Sequence, residues 1–363
     1  MGSTLSPLTT TTLTTASTIS TITAHQSGWS NTGNMSSKRS YHAASLLTNG
    51  KVLVVGGYNL DDGYLNNSEL YDPSTGTWTA TGNMHIDRYH HTSSVLPDGK
   101  VLVAGGFRHG SWINSSELYD PSTGNWTITG SLNRARHLRT ASVLTNGKVL
   151  VAGGAGDRDT QYSAELYNPS TGNWTITGSM HYGREWPTAC ILKNGKVLIT
   201  GGAFGDYMKT AELYDPSLGN WTVTGSMYYR REWHTASVLA NGTVLVTGGY
   251  DGNVVPDSAE LYNPSTGNWT LTSYMNEPRS DHTASVLTNG KVLVTGGCYG
   301  DCGNSTELYD PSTGNWTTTA SMNNGRRDHR VSVLTNGKVL VTGGHLSDIY
   351  LNSAELYDPA TET

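Results

Sequence analysis

Tryptophan recurs at 29, 78, 126, 174, 221, 269 and 316, so from Trp29 onward the chain repeats itself every 47–49 residues. A period of that length constrains the fold more than any local propensity, because each unit is one supersecondary block that must bury its faces against neighbours. Two further markers keep step with it. A glycine pair ends at 57, 106, 154, 202, 249, 297 and 344, and a tyrosine stands at 71, 119, 167, 214, 262, 309 and 357. Each interval holds four strand signals. In the unit opened by Trp126, HLRTASVL reads as a strand, TNG as a hairpin turn and KVLVAGG as a second strand; SAELYN, the turn PSTG and the strand NWTITG follow a variable loop. The unbroken apolar run of KVLVTGG predicts burial on both faces. SAELYD and NWTITG alternate, which places them nearer a rim with one face partly wet.

Four-stranded antiparallel units at this spacing predict an all-β fold, a seven-bladed β-propeller whose closed ring removes exposed sheet edges. The last copy of the phrase DPSTGNWT breaks off as DPATET, residues 358–363, while SGWSNTG at 27–33 supplies a fourth strand with no three before it. The N-terminal strand is therefore expected to close the last blade, with exchange of that strand between chains into a filament as the alternative. This assigns residues 27–363 to the propeller. Residues 1–26, rich in Ser and Thr, are expected to be a disordered tail or linker.

Composition narrows the function classes. With 43 Gly, 20 Tyr and 10 Trp against 2 Phe, the chain has the profile of short strands and many turns. Its net charge of -6 is spread along the sequence, so no footprint for nucleic acid is visible, and no apolar run reaches the length of a transmembrane segment. No nucleophile motif, phosphate-binding glycine loop or metal-spaced cluster stands out.

A glycine pair, a tyrosine 12–14 residues on and a tryptophan seven further resembles the kelch family, and the match recurs over residues 29–358. The resemblance implies strands A to D running from the central channel outward, with the glycine pair ending B, the tyrosine in C and the tryptophan in D. It also raises an enzyme reading, since galactose oxidase is a relative of that family. Its copper is held by two Tyr and two His, one Tyr being cross-linked to Cys, and it carries added domains. This sequence has three Cys, two of them four residues apart, so the expectation is no enzyme and no cofactor.

Seven copies in one chain separate scaffold from site. What every blade keeps serves folding; what differs is free to serve a ligand. The A–B and C–D turns are near-identical, whereas the B–C and D–A loops of the opposite face vary and are rich in Tyr, Trp, Arg and Asp. That loop face is the expected binding surface for a protein, peptide or glycan. Its candidate contacts are Tyr41, His90, Trp112, Trp186, Tyr228, Tyr229, Arg230, Trp233 and Tyr299. A candidate ring of arginines stands ten residues after each tryptophan, at Arg39, Arg88, Arg136, Arg184, Arg231, Arg279 and Arg326. Strand C matches it with one glutamate per blade, which reads more simply as internal pairing. Three residues beyond lie His42, His91, Arg139, Pro187, His234, His282 and His329; neighbouring strands bring too few histidines together for zinc, so these read as channel-lining. Cys298 and Cys302 are spaced to close a small disulfide. Ten N-x-[ST] sequons, at Asn34, Asn66, Asn114, Asn125, Asn173, Asn220, Asn241, Asn268, Asn304 and Asn315, point to an extracellular glycoprotein setting, whether as a binder or as an adhesive surface unit.

Overall fold

The computed structural model describes residues 28–157, 159–299 and 301–361. Seven four-stranded antiparallel sheets stand in a ring. In blade three, strands Thr140–Val143, Val149–Ala152, Ala164–Asn168 and Asn173–Ile176 run from channel to rim as A, B, C and D. Each A strand packs on the A strands of both neighbouring blades, and Ala43–Leu46 of blade one meets Arg330–Val333 of blade seven, which closes the circle. The four-residue core of every B strand is buried throughout, as its unbroken apolar run requires. No described helix is long and apolar enough to cross a membrane.

Blade seven is built from both ends of the chain. Strand Trp29–Asn31 pairs antiparallel with Ala354–Tyr357, placing Trp29 opposite Tyr357 and Asn31 opposite Glu355. The seam lies within one chain, as the truncated last repeat predicts.

Each recurring residue has a task at the junction between blades. The C-strand tyrosine and D-strand tryptophan pack in contact in all seven blades, with ring centroids 5.0–5.3 Å apart. The tryptophan indole then donates to the end of the preceding blade's D strand: Trp126 to the Gly82 carbonyl at 2.9 Å, Trp174 to Gly130 at 3.0 Å, Trp221 to Gly178 at 2.9 Å. The glycine pair is required by close approach. Gly56 and Gly57 both have positive φ, and a Cβ on Gly56 would lie 2.7 Å from the Arg88 carbonyl of the next blade.

The variable B–C loops are more regular than their sequences suggest. Short two-stranded hairpins order them in blades one, four, six and seven. In blade two, strands Val101–Arg108 and Ser111–Asp120 run on as one long hairpin around His109 and Gly110, both at positive φ as a two-residue turn demands.

Candidate functional site

The arginines and glutamates form seven copies of one buried clamp. Arg136 illustrates it: Nη2 donates to Glu165 Oε1 at 2.8 Å, and Nη1 donates to the carbonyls of Gly153 and Ser163, both at 3.1 Å. Glu165 also accepts from the backbone amides of Asn133 and Arg134, so the clamp ties the D–A segment to strand C. The equivalent pairs are Arg39–Glu69, Arg88–Glu117, Arg184–Glu212, Arg231–Glu260, Arg279–Glu307 and Arg326–Glu355, at 2.6–3.0 Å. Every one of these arginines is at most 2 % exposed, so the ring turns no guanidinium toward a ligand on the surface.

The channel histidines are hydrogen-bonded to threonines that end the preceding blade's B strand. His42 meets Thr342, His234 meets Thr200, and His282 meets Thr247, each at 3.0 Å; His329 meets Thr295 at 3.2 Å. Burial holds their imidazoles well down, to about 3 for His234, so they are neutral. Where the B strand ends in Ala104, the next blade carries Arg139, which reaches the Ala104 carbonyl; where it ends in Ala152, Pro187 follows. Blade one ends in Val55, and His91 accordingly has both ring nitrogens buried without a partner. This pairing between neighbouring repeats is present in the sequence and was missed by reading each repeat separately. Among the described residues no group of three or more His, Cys, Asp or Glu converges.

The unequal position between arginine and histidine makes the mouth of the channel. Tyr41, His90, Leu138, Trp186, Trp233, Asp281 and Asp328 all have φ between 48° and 56°. Positive φ is uncommon outside glycine and strained for bulky side chains, and it recurs here at one register in every blade. The backbone turns so that adjacent blades can join: His90 N–H donates to Tyr41 O at 3.1 Å, Trp186 N–H to Leu138 O at 3.0 Å and Asp281 N–H to Trp233 O at 3.2 Å. The belt rims a cavity of about 450 Å³ that also reaches Arg139, Arg327 and Arg330. Burial raises the Asp328 carboxyl to about 6 against the lowering effect of Arg330 and Arg327; burial and the adjacent Asp328 raise Asp281 well above the usual range.

The structure divides the predicted contacts into two groups. Tyr41 and His90 meet at 4.3 Å between ring centroids, and Trp186 meets Trp233 edge-on at 5.7 Å, all four on the mouth. Trp112 projects from the long hairpin of blade two. Tyr228 lines an outer groove with Trp269, Tyr229 lies under the Arg231 guanidinium at 5.7 Å, and Arg230 Nη1 donates to both carboxylate oxygens of Asp206, at 2.6 and 2.7 Å. The side chains of Tyr299, Cys298 and Cys302, and with them the expected disulfide, lie outside the described residues. Three sequons are engaged in the fold: the amide nitrogens of Asn66, Asn114 and Asn304 donate to the carbonyls of Met84, Leu132 and Met322.

Residues missed in the sequence extend the mouth outward. Tyr250 stacks on Trp233 at 5.8 Å with an 18° interplanar angle, and Tyr207 meets Tyr250 edge-on. Tyr250 and Tyr58 both follow a glycine pair directly, a signal shared by two blades. Beside this patch Glu232 is 3 % exposed, and burial, then the neighbouring Glu185, pushes its carboxyl up to about 7. A raised acid binds its proton more tightly folded than unfolded, so its contribution is complete below about 4.5 and is lost as pH rises through about 7. The neutral channel histidines and the raised Asp281 and Asp328 carry pH dependence of their own, so the test is a difference: Glu232→Gln should gain urea stability relative to the wild type as pH rises from about 5 to about 8. A difference that does not change with pH would remove Glu232 as a source.

The chain matches the model of the KLHDC2/KLHL20/DRC7 kelch-repeats domain over residues 9–202 and again over 139–344, and the kelch motif over 326–363. It belongs to the kelch-repeat family. No curated protein matches it. Among solved structures, a fungal alcohol oxidase of the AA5 family in complex with copper is similar, with a TM-score of 0.77, 19 % identity, and coverage of 92 % of this chain and 76 % of that one. At that identity the likeness establishes the propeller alone. Kelch propellers are typically non-enzymatic and generally bind proteins, and this kelch chain concentrates its differences between blades on one face.

Proposed function

We propose that this kelch propeller is a non-enzymatic binding module that captures a protein or peptide on its loop face, anchored at the Trp186–Trp233–Tyr250 patch of blades four and five. The observation that carries this reading is the contact of three half-buried aromatic rings, two of which, Trp186 and Trp233, stand at the open mouth on a backbone held at positive φ. Rigid aromatics give large contact area for little lost entropy, and strain of this kind persists where the surrounding structure enforces it. Glu185, half-buried next to Trp186, favours a basic group on the partner.

Peptide and glycan arrays probed with the wild-type chain and with Trp233→Ala test this. The variant should lose array capture by at least about tenfold while its stability shifts by less than about 1 kcal/mol, because the ring is only half-buried. Capture that survives the substitution, or a blade that unfolds with it, would make Trp233 scaffold. Signals on the glycan array alone would replace the protein partner with a saccharide.

A further inference from the structure

Across the mouth from that patch, blades seven, one and two bring five aromatic rings into a closed circuit. Tyr41 lies 5.8 Å from Tyr89, Tyr89 5.9 Å from Tyr58, Tyr58 5.8 Å from Tyr350, Tyr350 5.3 Å from His345 and His345 5.6 Å from Tyr41. A regular five-sided circuit of that spacing has its centre about 5 Å from every ring, inside the roughly 6 Å over which an aromatic face attracts a cation. An open cavity of about 360 Å³ sits on the circuit, lined by its four tyrosines with Tyr64 and His90. The tyrosine pairs along the circuit are inclined by 42° to 73°, and His345, buried and stacked on Tyr350 at 21°, backs that wall from outside the cavity; inclined walls suit a compact group and offer no flat platform for a sugar ring.

The surroundings suit a positive charge. His345 accepts from Arg327 Nε at 2.9 Å through Nε2 and faces Ser40 Oγ at 3.0 Å through Nδ1, an arrangement for a neutral ring. Burial holds His345 down at about 4 and His90 well below its ordinary value, so neither imidazole repels a cation. Arg327, the neighbouring cation, is tied to that imidazole and lies 4.0 Å from the Asp328 carboxylate. Among the described residues, no hydrogen bond occupies the hydroxyls of Tyr58, Tyr64, Tyr89 or Tyr350.

We propose that this circuit is a cage for a quaternary ammonium group, the chemistry shared by choline and trimethylated lysine. It uses blades other than those of the Trp186–Trp233 patch and stands whether or not a partner docks there.

Titration calorimetry of the whole chain with choline chloride tests it, with 3,3-dimethylbutanol as the uncharged isostere of the same shape. Saturable choline binding is expected, with the isostere weaker by at least about tenfold because the ring faces act on charge. Tyr58→Leu and Tyr350→Leu should each weaken choline by about tenfold, whereas Tyr58→Phe and Tyr350→Phe, which keep the rings, should stay within about threefold. If a leucine variant fails to fold by circular dichroism, the phenylalanine variants and the isostere decide. A trimethyllysine peptide distinguishes the sources: tighter than choline points to a protein tail, weaker to a free solute, and either sustains the cage. No saturable choline binding, equal affinity for the isostere, or folded leucine variants that bind choline normally would overturn it.

Discussion

Trp29→Ala is expected to cost about 3–5 kcal/mol, the range for removing a large buried aromatic side chain, and to cost more than the same change at Trp78. Trp29 is 3 % exposed and packs among Leu287, Leu293, Leu308, Met322, Val339, Val341 and Tyr357. Trp78 has the same place in blade one but is only half-buried. The strand that carries Trp29 is three residues long, so its attachment rests on that side chain and a few backbone bonds. These include Asp358 N–H to Gly28 O at 2.8 Å and Met35 N–H to Asn352 O at 2.9 Å. When the strand lets go, Ala354–Tyr357 becomes an open sheet edge and blade seven loses its outer cover. Urea denaturation of both variants, read by circular dichroism, measures the difference. Equal losses at Trp29 and Trp78 would mean that the seam is no more critical than any other D strand.

What was legible in the sequence was whatever every blade needs. The glycine pair recurs because a neighbouring arginine carbonyl comes too close for a Cβ, and the tyrosine and tryptophan recur because each blade seals against the last with them. Repetition turned those local demands into a period, and the period into a count of blades. The mouth was legible only as a position. Its residues differ from blade to blade, and which of them touch depends on ring closure: Tyr58 and Tyr350 lie at opposite ends of the chain yet stand 5.8 Å apart. Arg230 reads as a binding residue among aromatics, and its partner Asp206, on a loop hairpin of the preceding blade and accepting from its Nη1 through both carboxylate oxygens, could not be read from the sequence. The partnering of histidine with the threonine that ends the preceding B strand sits in the sequence as well, and only the adjacency of blades says which residues to compare.

The clamp yields the second large effect. Arg136→Met should destabilise the propeller by about 3–5 kcal/mol, because it leaves a carboxylate buried without its cation. Arg136 and Glu165 are both fully buried, and Arg136 also supplies donors to the carbonyls of Gly153 and Ser163. Glu165→Gln should cost less than Arg136→Met. Its amide oxygen can still accept from Arg136 and from the Arg134 amide, while its NH2 group, which only donates, faces the Asn133 amide and loses that contact. The double variant should lose less than the two single losses combined, by about 1–3 kcal/mol, since the second substitution removes a group the first had already stranded. A urea double-mutant cycle reads all three values. Strict additivity would mean the two side chains act separately, and the clamp would then be a coincidence of two backbone contacts. Full stability with weakened array capture would mean instead that Arg136 serves the ligand; its zero exposure and four internal hydrogen bonds argue against that outcome, because a ligand would first have to break them.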